Sequence, residues 1–158
     1  MGRERRIWSG TAIGCRELPL GREMPVYMVE RLREAWNAHD ADAVAALFAT
    51  DYRSFQPTHP GRAFVGRSQV LTNWSSVFEG VPNFTARLVA LTKDADTEWA
   101  EWDWSGTHSD GTPFLMRGVT ILTMRRDLIA EGRLYLEPVE VSGADIDSAV
   151  NDLYRRDP

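Results

Sequence analysis

Apolar positions along the chain change period twice, and each change predicts a different kind of element. Over about residues 25–38, Val29, Leu32, Trp36 and His39 share one helical face, while Glu30, Arg31, Arg33 and Glu34 take the wet side. Asp40 is placed to cap a second helix, with Asp42 in the first turn where the helix dipole favours a carboxylate. Val44, Leu47 and Phe48 form its apolar stripe, and it is expected to end near Thr50 and Asp51. Tyr52 to Gln56 then reads as a short strand, and Pro57-Thr58-His59-Pro60-Gly61 is a turn cluster that cannot be helical. A third helix is predicted over about 67–79 from Val70, Leu71, Trp74, Val77 and Phe78, with Gly80 and Pro82 as stops.

Beyond residue 83 the period falls to two. Four strands are predicted at about 84–92, 97–108, 112–124 and 128–140, each separated by a turn signal, and Ile146, Val150, Leu153 and Tyr154 then return to helical spacing. Helices first and an antiparallel meander afterwards make an α+β architecture, with three helices packed on one face of the sheet. Strands this long exceed the usual five or six residues or so. They twist strongly, and a twisted sheet roofed by helices curls around a hollow.

Hairpin chemistry fixes which side chains face that hollow. Ser109-Asp110-Gly111 suits a three-residue loop with glycine in the left-handed position, which sets His108 opposite Thr112, Trp104 opposite Met116 and Asp103 opposite Arg117. A two-residue Asp-Gly loop would instead set Trp104 against Arg117. A turn at Arg125-Arg126-Asp127 sets Gly118 opposite Leu134 and Met116 opposite Leu136. The inner face then carries Trp102, Trp104, His108, Met116, Thr120 and Leu134, and the outer face Glu101, Asp103, Val119, Ile121, Tyr135 and Glu137.

Composition narrows the class of function. The 158 residues suit one domain, and 43% hydrophobic with 26% charged residues is ordinary for a globular chain. A formal charge of −5 argues against a nucleic-acid partner, and no apolar run approaches the ~20 residues that span a bilayer. A lone cysteine, Cys15, leaves no intramolecular disulfide and fits a reducing, cytoplasmic setting. Residues 1–24 are rich in Arg and Gly and lack periodicity. Ser9, Gly10, Thr11 and Gly14 interrupt any signal-type apolar stretch, so this segment reads as a loose extension or as residues ahead of a start at Met24 or Met28. The domain is expected over 25–141, with a short C-terminal helix within 142–158.

Several segments together resemble the SnoaL-like branch of the nuclear transport factor 2-like superfamily. They are Trp36-Asn37-Ala38-His39-Asp40, Gly66-Arg67, Trp102-Asp103-Trp104-Ser105-Gly106-Thr107-His108, and Ile129-Ala130-Glu131 with Tyr135-Leu136-Glu137. Their order and spacing cover about residues 28–140. The resemblance implies a cone-shaped α+β fold, an apolar pocket and a homodimer, with relatives among polyketide cyclases, ketosteroid isomerases and limonene epoxide hydrolases. Carried over by position, the isomerase base aspartate falls on Gln56 and its oxyanion tyrosine near Leu32. The cyclase aspartate falls on Thr120, and the epoxide hydrolase Asp–Arg–Asp set on Trp104, Trp102 and Leu134. Only the cyclase-type histidine has a counterpart, in His108.

Proton transfer near neutral pH needs a histidine or a desolvated carboxylate. His108 at the end of an inward-facing strand is the candidate acid/base, and Glu137 joins it if a bulge at Pro138 swings it inward. Otherwise His108 is a hydrogen-bonded rim residue. His39 and His59 sit in turns and read as structural. Glu101 and Asp103 face outward toward Arg87, Arg117 and Arg133 and read as a paired surface. Trp36, Tyr52, Trp74, Trp102 and Trp104 are candidate pocket aromatics, with core packing as the competing role for Trp36 and Trp74. Gln56 would orient a carbonyl, and Met116, Thr120 and Leu134 complete the predicted ligand wall.

No metal-ligand cluster or phosphate-binding loop stands out, and what the resemblance implies is a cofactor-independent cyclase, isomerase or hydratase acting on an apolar oxygenated or polycyclic substrate. A non-catalytic binding protein for a hydrophobic small molecule is the alternative. A dimeric interaction module using Val119, Ile121 and Tyr135 of the outer face is the third reading.

Overall fold

A computed structural model of the chain describes residues 27–154. The expectations for residues 1–24, Cys15 included, lie outside the described residues. Helix α1 spans Met28–Asn37 and buries Met28, Val29, Leu32 and Trp36, the stripe its spacing predicts. Its first turn is capped from a distance. The buried carboxylate of Glu98 accepts the Met28 and Val29 N–H groups at 3.1 and 2.9 Å, satisfying two donors that a helix start leaves open. The chain reverses at His39, whose φ of 54° is left-handed. Asp40 then caps α2 (Ala41–Ala46) by accepting the Ala43 N–H at 2.8 Å.

Strand β1 runs Phe48–Phe55, so Phe48 and the residues up to Thr50 are strand and not the predicted end of the second helix. A non-local pairing decides this. β1 lies parallel to β6 with Phe48 beside Ile129, and the Ile129 N–H donates to the Leu47 carbonyl at 2.9 Å. A 3-10 turn at Pro60–Arg62 and the two-residue strand β2 (Phe64–Val65) lead into α3 (Arg67–Gly80). Arg67 Nε donates to the Phe48 carbonyl at 2.7 Å and ties the start of α3 to β1.

The four predicted long strands are present as β3 (Thr85–Asp94), β4 (Thr97–Thr107), β5 (Pro113–Arg125) and β6 (Leu128–Pro138). The sheet order is β2-β1-β6-β5-β4-β3, mostly antiparallel, curved and not closed, with β1–β6 as its parallel pair. The fold is the α+β arrangement that the element order predicts, helices packed against one curved sheet. α4 (Ile146–Tyr154) follows with its apolar stripe exposed.

The β4–β5 register is the predicted one: Trp104 faces Met116, Trp102 faces Gly118, and Asp103 faces Arg117. Gly111 has φ +87°, and the His108 N–H donates to the Thr112 carbonyl at 2.8 Å across the three-residue loop. The β5–β6 register differs by two residues. Gly118 faces Leu136, Met116 faces Pro138 and Thr120 faces Leu134. Arg126 and Asp127 form a two-residue turn, both at positive φ, and a bulge lies beyond it between the Thr123 and Met124 pairings. A slip of two preserves which side chains face inward. Gly118 is required at its place, because a Cβ there would overlap the Tyr135 carbonyl and its φ of +151° is disfavoured for other residues.

The core fills the space between the helices and the inner sheet face. Trp36, Trp102, Phe84, Leu32 and Ile129 are its bulk.

Candidate functional site

A cavity of about 210 Å3 remains between α1, α3 and the inner faces of β1, β4, β5 and β6. Alternation on the strands builds its floor. Trp104 comes from β4, Met116 and Thr120 from β5, Leu134 from β6, and Tyr52 from β1, with Gln56 just past the end of β1. Trp36 on α1 and Trp74 on α3 form the roof, their rings 4.7 Å apart. Eight of the nine predicted ligand-wall residues therefore line one hollow. Trp102 is the exception. Its ring sits edge-on to Trp36 at 5.0 Å, it is 1% exposed, and its Nε1–H donates to Thr120 Oγ1 at 2.9 Å behind the wall.

The sequence reading missed Ser54, Asn73, Phe64 and Phe114, which also line the cavity. Period-two spacing from Tyr52 was available for Ser54. The other three depend on how α3, β2 and a hairpin arch over the sheet. Ser54 is 2% exposed and hydrogen-bonds with Tyr52. Gly132 is a further requirement, since a Cβ there would strike the Tyr52 hydroxyl.

Burial raises the Tyr52 pKa to about 12, with the Ser54 hydrogen bond opposing and the Glu131 charge adding. Tyr52 is thus a neutral hydroxyl at physiological pH. Among the described residues no Asp, Glu, His, Lys or Arg lines this cavity.

The two predicted acid/base residues lie elsewhere. His108 is exposed on the β4–β5 loop, with its ring edge-on to Phe114 at 5.5 Å, outside the cavity lining. Glu137 keeps the outward register, opposite Arg117, because no bulge forms at Pro138. Its Oε1 accepts from His59 Nε2 at 2.9 Å and Thr58 Oγ1 at 3.0 Å, so its histidine partner is His59 and not His108. The Glu137 side chain is 46% exposed.

His39 is structural, donating Nε2–H to the Phe84 carbonyl at 2.7 Å. Glu101 and Asp103 lie on the outer face. The Arg87 hydrogen bond, with the Arg117 charge beside it, holds the Asp103 carboxyl below its usual range. Among the described residues no group of three or more His, Cys, Asp or Glu side chains is placed to hold a metal ion. No helix among them is long and apolar enough to cross a membrane.

Residues 29–132 match the family described as SnoaL-like domain. No curated protein matches the chain significantly. Solved structures resemble it in fold. One is a protein with a ketosteroid isomerase-like fold from Catenulispora acidiphila, in complex with trimethylamine. It is 20% identical over 67% of this chain and 82% of that one, with a TM-score of 0.60. A candidate SnoaL-like polyketide cyclase from a Jannaschia species is 18% identical over 78% and 87%, also at 0.60. A nuclear transport factor 2-like protein of unknown function from an Exiguobacterium species is 18% identical over 73% and 100%, at 0.59. At these identities the likeness is one of fold.

Proposed function

The chain belongs to the SnoaL-like domain family, and from that premise we propose that it binds an apolar small molecule in the cavity between α3 and the inner sheet face. The observation that carries this reading is the lining itself. It combines indole and phenyl rings, Met116 and Leu134 with a few neutral polar groups, the usual make-up of a small-molecule site.

Binding is favoured over proton-transfer catalysis for a chemical reason. A base working near pH 7 needs a pKa near 7, and the cavity's titratable group among the described residues is Tyr52, at about 12. The acid/base pair His108 and Glu137 has no cavity position from which to touch a ligand.

Native mass spectrometry tests the reading. The protein purified without denaturants carries, or takes up from a panel of two-ring hydrocarbons and ketones, one small molecule per chain. Filling the hollow with Val70→Phe and Leu134→Phe together abolishes uptake while the far-ultraviolet circular dichroism is retained. Equal uptake by the filled variant, or none by the wild type, contradicts it.

A second reading rests on the outer sheet face. Trp99 and Tyr135 on that face are 44% and 40% exposed, with Val119 opposite Tyr135, while Ile121, opposite Trp99, is buried. The face suits a self-complementary contact between two copies of the chain. Trp99→Glu with Tyr135→Glu would convert a dimer to monomer in light scattering. An unchanged mass contradicts that contact.

A further inference from the structure

Helix α4 needs a surface that its own copy does not supply. It spans Ile146–Tyr154, and none of its residues is buried. Isolated helices below about 12–15 residues are marginal in water and take their stability from packing an apolar face. The first turn is capped, with the Asp145 carboxylate accepting the Ser148 N–H at 2.9 Å. The apolar stripe is complete yet bare: Ile146, Leu153 and Tyr154 are 74%, 81% and 79% exposed, and Val150 is 41%. The helix lies beyond the family match over residues 29–132, so its stripe is a feature of this chain and not of the shared domain.

The outer sheet face has the matching deficit. Tyr135, Val119 and Trp99 make an apolar diagonal from β6 across β5 to β4. An aromatic side chain covers about 150–250 Å2. Trp99 and Tyr135, at 44% and 40% exposure, therefore leave at most about 200 Å2 to bury. A stable contact buries about 800 Å2 per partner, of which roughly 500 Å2 is apolar. The diagonal alone falls short. Ile146, Leu153 and Tyr154 of α4 add about 300 Å2 and bring the sum to what a lasting dimer needs.

The two surfaces also match in length and charge. From Ile146 to Tyr154 the helix rises about 12 Å. From Tyr135 to Trp99 the diagonal crosses two strand spacings and two residues of strand, again about 12 Å. Within its span α4 carries Asp147 and Asp152 and no basic residue. Arg133, beside Ile121 at the edge of the diagonal, is exposed and has no ion-pair partner among the described residues. On one copy the helix stripe and the diagonal are both exposed. A second copy supplies each with the other, and the exchange closes as a two-fold dimer.

We propose that two copies of the chain exchange α4, each laying its Ile146–Tyr154 stripe across Tyr135, Val119 and Trp99 of the other. This rests on the outer face being where two copies meet, and names the segment that covers it. Residues 140–145, which link β6 to α4, reach about 20 Å when extended. Packed sheets lie about 10 Å apart, so the link can cross to a partner.

Light scattering on the full-length protein is expected to give the mass of two chains, falling to half in Ile146→Glu with Leu153→Glu. Both side chains are exposed, so the variant keeps the wild-type near-ultraviolet circular dichroism. A two-chain mass in that variant overturns the role of α4 and leaves the outer-face contact standing. A one-chain mass in the wild type overturns both. Cysteine pairing locates the helix. With Cys15→Ser as background, one preparation carries Val150→Cys and another Val119→Cys, and the two are mixed until subunits exchange, then oxidised. A disulfide forms only where the two Cα atoms come within about 7 Å. The mixed disulfide is expected to dominate both self-pairs. A dominant Val150→Cys self-pair puts α4 against its counterpart and overturns the proposal. An internal disulfide at one-chain mass, in a chain carrying both changes, puts α4 on its own sheet and overturns it too.

Discussion

The two faces of strand β4 are built from alternate residues of one segment, yet they obey different physics. Inward lie Glu98, Ala100, Trp102 and Trp104, all buried; outward lie Trp99, Glu101 and Asp103. On the inner side each polar atom is sealed from water, so its partner decides whether it stabilises. Glu98 has two helix N–H groups and the Lys93 ammonium, and Trp102 has Thr120. On the outer side Asp103 pairs with Arg87 and Arg117, whose side chains are 64% and 65% exposed. Solvent there screens the attraction and leaves such pairs worth little. One face is a sealed core and the other a solvated surface.

Paired substitutions sharpen that contrast. The largest effect is expected from Trp102→Ala, about 4 kcal/mol in urea denaturation, since it empties the centre of the core and strands the Thr120 hydroxyl. Trp99→Ala, three residues away on the outer face, should lie within about 1 kcal/mol. Similar losses for both would erase the distinction.

Next comes an alkaline effect. Tyr52 keeps its proton to about pH 12 in the folded chain and to about 10 when unfolded. Its folded pKa is raised, so the contribution is intact below pH 10 and is lost as pH climbs from about 10 to 12. The two-unit gap is worth roughly 3 kcal/mol. Stability of Tyr52→Phe measured across that window should fall less than wild type by that amount. Parallel curves would show that the hydroxyl is wet.

Glu98→Gln should lower stability by about 2 kcal/mol through the weakened helix cap and the unpaired lysine, measured by thermal or urea unfolding. Glu101→Gln on the other face is expected to be near neutral. The smallest effect belongs to Asp103→Asn, below about 1 kcal/mol and further reduced in 1 M salt.

Much of the inner wall was legible because period-two spacing and one hairpin loop decide it locally. Gly111 set the β4–β5 register, and with it Trp104 against Met116. Two things were not legible for the same physical reason, that long-range pairing overrides local preference. Phe48 carries helical spacing but is drawn into a strand by Ile129, and the bulge in the β5–β6 hairpin slides Gly118 from Leu134 to Leu136. Inward parity in β4 pointed at Glu98 as a buried carboxylate, a signal in the spacing that the sequence reading passed over. Which indole finds a partner is beyond any spacing rule. Trp102 and Trp104 share a face and pack alike against Trp36, and what separates them is that Trp102 alone of the two has the Thr120 hydroxyl within hydrogen-bond reach.

The central claim is that the inner face, and not the outer, takes the small molecule. Methyl-labelled protein titrated with 2-isopropylnaphthalene gives the most direct test, through nuclear Overhauser contacts from ligand to methyl groups. Contacts are predicted at Leu32, Val70, Leu122 and Leu134, which line the cavity, and none at Val119, on the outer face. Contacts at Val119, with the four cavity methyls silent, would contradict it.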